Sequence, residues 1–282
     1  MNSLKTAVLL AGLAGILIAL GWFFAGVNGA VIAFAVAFAL NFTSYFFSDR
    51  IVLGMYRAKE VQRSENPELH GLVEELALAA EIPKPRVFVV PNDVPNAFAT
   101  GRNPAHSVVA VTGGILKLLN REELKGVLAH EISHIKNRDV LVSTIAATVA
   151  TAIMMLASML RFTAIFGGMG RNDRGRGGLE LLLLAILAPI AAMIVQLAIS
   201  RSREYGADDR GARISGQPMG LANALMKLAR VNEAAPPIAS PSTAHLFIVN
   251  PLRGATFASL FSTHPPIEER VKRLKRMAGV VA

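Results

Sequence analysis

Residues 129–135 read AHEISHI, inside the longer stretch NREELKGVLAHEISHIKNRD at 120–139. On a helix, His130 and His134 stand one turn apart and share a face. Two imidazole nitrogens so placed can hold one zinc ion, and Glu131 then stands beside the metal, ready to take a proton from its water. The apolar periodicity around the motif predicts an amphipathic helix, with Asn120 and Glu123 as its capping box. H-E-x-x-H alone is short enough to arise by chance, so the rest of the chain has to agree with it.

The chain has 282 residues, of which 52% are hydrophobic and 17% charged. That is too apolar for an ordinary soluble domain and points to membrane spans. Thr6 to Val27, Gly29 to Phe47 and Val140 to Leu160 carry no charge, and Leu179 to Ser200 carries only Glu180. Each approaches the roughly 20 residues a helix needs to cross a bilayer core. The expectation is four spans in two hairpins. The first run is too long for a signal-peptide core and lacks an A-x-A site, so it is read as retained. Trp22, Phe23, Phe24, Tyr45, Phe46 and Phe47 near span ends suit interfacial anchoring.

Arg50, Arg57, Lys59 and Arg63 follow the second span, whereas the loop between spans one and two has no charge. This places the segment from Asp49, and the N-terminus, in the cytoplasm. The loop bearing Arg161, Arg171, Arg174 and Arg176 runs against that rule, since alternation puts it outside. The net charge of +9 invites a nucleic-acid reading. The cations instead flank apolar spans or crowd the C-terminus, where anionic lipid is the natural partner, and no DNA-binding motif appears. The absence of cysteine excludes disulfides and thiolate ligands.

Four segments follow: a transmembrane hairpin at 1–48, a first soluble part at 49–139, a second hairpin at 140–200 and a second soluble part at 201–282. In the soluble parts, NPELHGLVEELALAAEI reads as a helix capped by Asn66, with Pro67 at its first position. RVFVVP and HSVVAVTGG read as strands, the second ending in glycines, and GLANALMKLARV and PIEERVKRLKRM read as helices. His70, His106 and His245 match no motif and are taken as surface residues.

A catalytic zinc takes three protein ligands and leaves a place for water. A third histidine six residues after the second is excluded, because that position is Val140. The ligand helix can run on into the third span, and the fourth span would return the chain to the same level at RSREYGADD. Glu204 becomes the candidate third ligand. Asp208, four residues on, would accept a proton from a ligating imidazole. The plainer alternative pairs both acids with Arg201, Arg203 or Arg210.

NAFATG, HEISHIKNRD, SREYGAD and THPPIEER, in this order with four apolar spans, resemble the HtpX family of bacterial membrane-integrated zinc metalloproteases. That family is of the gluzincin group, which also holds the CAAX prenyl endopeptidases. The resemblance covers nearly the whole chain. It implies an α-helical membrane protein with a cytoplasmic, mainly helical α+β zincin-like metalloprotease domain carrying a small sheet. It also implies one Zn²⁺ per chain on His130, His134 and Glu204, with Glu131 as catalytic base. By the same resemblance Asn96 holds substrate backbone, His264 stabilises the oxyanion with Arg270 in support, and VVAVTG is the edge strand that an extended substrate joins.

The implied activity is hydrolysis of misfolded or damaged membrane proteins from the cytoplasmic side of the inner membrane, under stress. Its partners would be protein substrates with cytoplasmic segments and the lipid bilayer, without nucleic acid. A site-specific maturation protease would use the same zinc site. A non-catalytic scaffold or chaperone with a structural zinc fits poorly with an intact Glu131 and three ligands. A transporter would need ionisable groups within the spans, and only Glu180 is there.

Overall fold

Uncharged, glycine-dotted sequence from residue 6 onward forms α1 (Asn2–Met55), which is broken at Ala25 and Gly26. Gly26 takes φ 58° and ψ −141°, a state essentially reserved for glycine. The two arms fold back against each other. A Cβ on Gly21 would overlap the carbonyl oxygen of Gly29, and the reverse also holds. Asn41 Nδ2 donates to Leu10 O at 3.1 Å across the pair. The two arms form a helical hairpin with its turn at 25–26, where the sequence reading set it at Val27–Gly29. Val31, Ile32, Phe34 and Phe38 on the second arm are each more than half exposed. Among the described residues, one helix, Ala25–Phe47, is long and apolar enough to cross a membrane.

The computed structural model of the chain describes residues 2–142, 145, 201–234, 247–249 and 265–280. The third expected span beyond its first residues, the fourth span, the Arg161–Arg176 loop, His245 and His264 lie outside the described residues.

After α1, Arg57 enters the left-handed region and stops the helix, and β1 (Lys59–Glu60) begins a four-stranded sheet. α2 (Pro67–Ala79) starts as its sequence requires, with Asn66 Oδ1 accepting from Leu69 N at 3.1 Å. β2 (Arg86–Val90), β3 (Ala97–Gly101) and β4 (Ser107–Thr112) complete the sheet in the order β1-β2-β4-β3. β2 runs parallel to β4 with Phe88 opposite Ala110; β3 runs antiparallel with Ala99 opposite Val109. VVAVTG is not the edge strand expected, because β4 is paired on both sides and β3, beside it, is an edge.

Alternate residues of β4 feed two cores, which is why its sequence is apolar without a break. Val109 and Val111 join α2 and α4 in the main core. Val108 and Ala110 join Phe88, Phe98, Val52 and Leu53, packing the sheet onto the end of α1. The glycines after β4 open α3 (Gly113–Leu118) instead of ending the strand, with Thr112 Oγ1 accepting from Ile115 N.

α4 (Arg121–Lys136) carries the expected capping box, Asn120 and Glu123 each accepting the other's backbone N–H at 2.9 Å. It does not run on toward the third span. It ends at Asn137, and Arg138 at φ 57° turns the chain. α5 (Arg201–Ser215) and α6 (Pro218–Ala234) pack on α4, and α7 (Ile267–Met277) packs on α6 and α5. Gly211 permits the α4–α5 contact, since a Cβ there would lie 2.9 Å from His130 N. His70, expected at the surface, is half-buried, with Nε2 2.8 Å from Val61 O.

Candidate metal centre and active site

His130 and His134 project from successive turns of α4 toward α5, where Glu204 faces them. Their Nε2 atoms are 3.2 Å apart. His130 Nε2 is 3.6 Å from Glu204 Oε2, and His134 Nε2 is 3.6 Å from Glu204 Oε1. A metal with bonds of about 2.0–2.2 Å in tetrahedral geometry needs donors about 3.3–3.6 Å apart. The three side chains stand close to that spacing, so the donor set fits a divalent ion with little rearrangement.

The outer nitrogens of both imidazoles face carboxylates. His130 Nδ1 lies 2.9 Å from Asp208 Oδ1, and His134 Nδ1 lies 3.4 Å from Asp139 Oδ2. A proton kept on each outer nitrogen leaves the Nε2 lone pairs free to point inward. Asp139 reaches His134 only because the Arg138 turn folds the chain back, and Asn137 Nδ2 donates to it at 3.0 Å. The sequence reading missed this second carboxylate, since a helix continued past Lys136 would have carried it away.

Asp208 is fully buried and held by Arg270, which is itself 0% exposed. Arg270 Nε and Nη2 fork onto Asp208 at 2.8 and 2.7 Å, and Nη1 donates to Ile248 O at 3.0 Å. Burial pushes the Asp208 carboxyl up, but the guanidinium outweighs it and brings the value down to about 2. Burial likewise disfavours a charged His130, yet Asp208 and Glu204 raise its pKa to about 9. A pocket that draws a proton onto a buried imidazole is one that attracts a cation.

Glu131 is buried on the same helix, and burial raises its carboxyl above the usual range. The backbone of Ala99, in edge strand β3, hydrogen-bonds to it. Asn96 immediately precedes β3 and is 2% exposed. Its N–H donates to Thr112 Oγ1 at 2.8 Å, and its Oδ1 accepts from Ile248 N at 3.2 Å. Ile248 therefore links Arg270 to Asn96, a connection no spacing rule could reveal. Of the sequence candidates, the structure brings His130, Glu131, His134, Glu204, Asp208 and Arg270 together, and sets Asn96 at the start of the neighbouring strand. His264 is outside the described residues.

The arrangement can bind a divalent cation beside a buried carboxylate at a sheet edge, the equipment of a metal-dependent hydrolase. The sequence profile of peptidase family M48 matches residues 63–278. A protein named as a protease HtpX homolog from Pyrococcus furiosus is 55% identical over 97% of this chain and 95% of its own length. One of the same name from Persephonella marina is 56% identical over 99% and 98%. The crystal structure of S. mikatae Ste24p superposes with a TM-score of 0.56 at 18% identity, a likeness of fold. That alignment covers 97% of this chain and 64% of the longer one.

Proposed function

The chain belongs to peptidase family M48 and is a metalloprotease, and on that premise we propose that His130, His134 and Glu204 hold one Zn²⁺ and that Glu131 is its general base. When bound, the ion supplies Lewis acidity, lowering the pKa of water and polarising a carbonyl. Glu131 takes the proton of the attacking water and returns it to the departing amine. Asp208 and Asp139 fix the imidazole tautomers, and Arg270 keeps Asp208 ionised. His264 acts as a donor to the charge developing on the scissile carbonyl oxygen. Asn96 holds substrate main chain at the start of β3, along which an extended peptide lies. Two imidazoles and a carboxylate suit zinc among the divalent metals.

One observation carries this reading: three inward-facing donors 3.2–3.6 Å apart, with Glu131 on the same helix turn. The test compares wild type with Glu131→Gln, both stripped of metal and resupplied with zinc. Wild type should cut an unfolded protein only with zinc. The variant should keep one zinc per chain and lose activity by roughly a hundredfold to ten-thousandfold, the usual contribution of a general base. Equal zinc binding with no cleavage by either protein would favour a non-catalytic scaffold.

The second part of the proposal concerns place. We assign 1–48 and 140–200 to transmembrane hairpins, and 49–139 with 201–282 to one protease domain on the cytoplasmic face of the bacterial inner membrane. The apolar outer surface of α1 and the cations at Arg50, Arg57, Lys59 and Arg63 support this. Because the sheet packs on the end of α1, the site stays near the membrane surface, within reach of cytoplasmic segments of damaged membrane proteins. A maturation protease with one partner would share the chemistry, and a survey of cleavage sites separates the two.

A further inference from the structure

Where the second arm of α1 ends, a cavity of about 530 Å³ opens between the helix and the sheet. It is lined by the aromatic rings of Phe42, Phe46 and Phe47 and by the charged side chains of Asp49, Arg50, Lys84, Arg86 and Arg102. The cations differ in what holds them. Lys84 is paired with Glu74 at 3.2 Å, and Arg86 with Asp49 at 3.0 Å and Glu60 at 3.8 Å. Arg50 and Arg102 have no carboxylate partner among the described residues. Each guanidinium instead rests on a phenylalanine ring, Arg50 at 5.4 Å from the Phe47 centroid and Arg102 at 5.6 Å from that of Phe46. Arg102 Nη1 also donates to Phe46 O at 3.5 Å. A guanidinium lying on an aromatic ring keeps its N–H edges free, in the fork that matches phosphate oxygens.

The position of this cavity is as telling as its charge. Phe42 and Phe46 are 50% and 42% exposed and belong to the apolar helix Ala25–Phe47, while Asp49 and Arg50 follow directly. The cavity thus has an apolar wall continuous with the span and a cationic wall just beyond it, the order of an acyl chain and its phosphate. We propose that it binds the headgroup of an anionic phospholipid, with Arg50 and Arg102 gripping the phosphate and Phe42 and Phe46 against the upper acyl chain. The proposal rests on the reading that α1 lies in a bilayer. Arg102 directly follows β3, whose Ala99 hydrogen-bonds to Glu131. A headgroup held there ties one end of the active-site strand to the membrane surface.

The experiment uses the full chain in mild detergent, with phosphatidylglycerol or phosphatidylcholine of identical acyl chains added, and bound lipid counted by native mass spectrometry. One phosphatidylglycerol per chain should be retained, on the order of tenfold more tightly than phosphatidylcholine. Arg50→Gln with Arg102→Gln should abolish that preference while metal content and Tm stay unchanged. Lys272→Gln with Arg276→Gln, which removes the same charge from exposed positions of α7, should leave it intact. Equal preference in wild type and the first double variant would overturn the proposal, and so would equal loss in both double variants. Displacement of the lipid by millimolar inorganic phosphate would show a free-anion site and also overturn it. Alkaline carbonate extraction of membranes tests the premise separately. Release of the protein would sink the bilayer reading and this proposal together, whereas retention without lipid preference sinks only the proposal.

Discussion

At the scale of single residues, the buried pair Asp208–Arg270 separates two roles, stabilising the fold and orienting a ligand. Arg270→Leu leaves a fully buried carboxylate without its guanidinium, and removing one partner of such a pair costs about 3–5 kcal/mol. Thermal unfolding should show that loss. Replacing both residues by leucine should restore much of the stability, because an apolar pair needs no compensation for desolvation. Metal affinity should stay down by about tenfold to a hundredfold in the double variant, as in Asp208→Asn alone, since His130 has lost the carboxylate facing Nδ1. If affinity returned with stability, Asp208 would be structural and nothing more.

The elements carry a different constraint, the closeness of α5 to α4. Glu204 can face the histidines only while Gly211 lies against the backbone of His130, with 2.9 Å left for any Cβ. Gly211→Ala should cost about 1–3 kcal/mol by overpacking and weaken zinc binding, because the helix bearing the third donor moves outward. Calorimetry with and without zinc checks both effects. α7 grips α5 at two further places, through Arg273 to Asp209 at 3.1 Å and Arg273 over the Tyr205 ring at 4.4 Å. Several elements were readable locally. The α4 capping box, the Asn66 cap and the helical periods of α6 and α7 each depend on neighbours within four residues. β3 was not, because AFATG is short and lacks alternation; it becomes a strand only against β4. The end of α4 was misread for a related reason, since the left-handed turn at Arg138 has no glycine to announce it.

For the whole molecule, the metal would join two segments more than 60 residues apart in sequence. A ligand that binds only the folded state adds about 4 kcal/mol when present at a thousand times its Kd. Chelation should therefore lower Tm in wild type and in Glu131→Gln alike, and added zinc should restore it in both. A variant lacking Glu204 should show no zinc-dependent shift. The chain alone determined the parts whose physics is local: the apolar hairpin, the helix that sets His130 and His134 on one face, and the caps that start it. Spacing also nominated Glu204 and Asp208, without deciding between metal ligation and ordinary ion pairs. Only the tertiary structure decided that the three donors stand 3.2–3.6 Å apart, that Asp139 turns back to His134, that Arg270 and Ile248 link the site to Asn96, and that β3 is the edge. The physical reason is range. Capping and periodicity act between residues a turn apart, whereas a metal pocket is made by buried groups from distant segments, which meet only when the cores around them close.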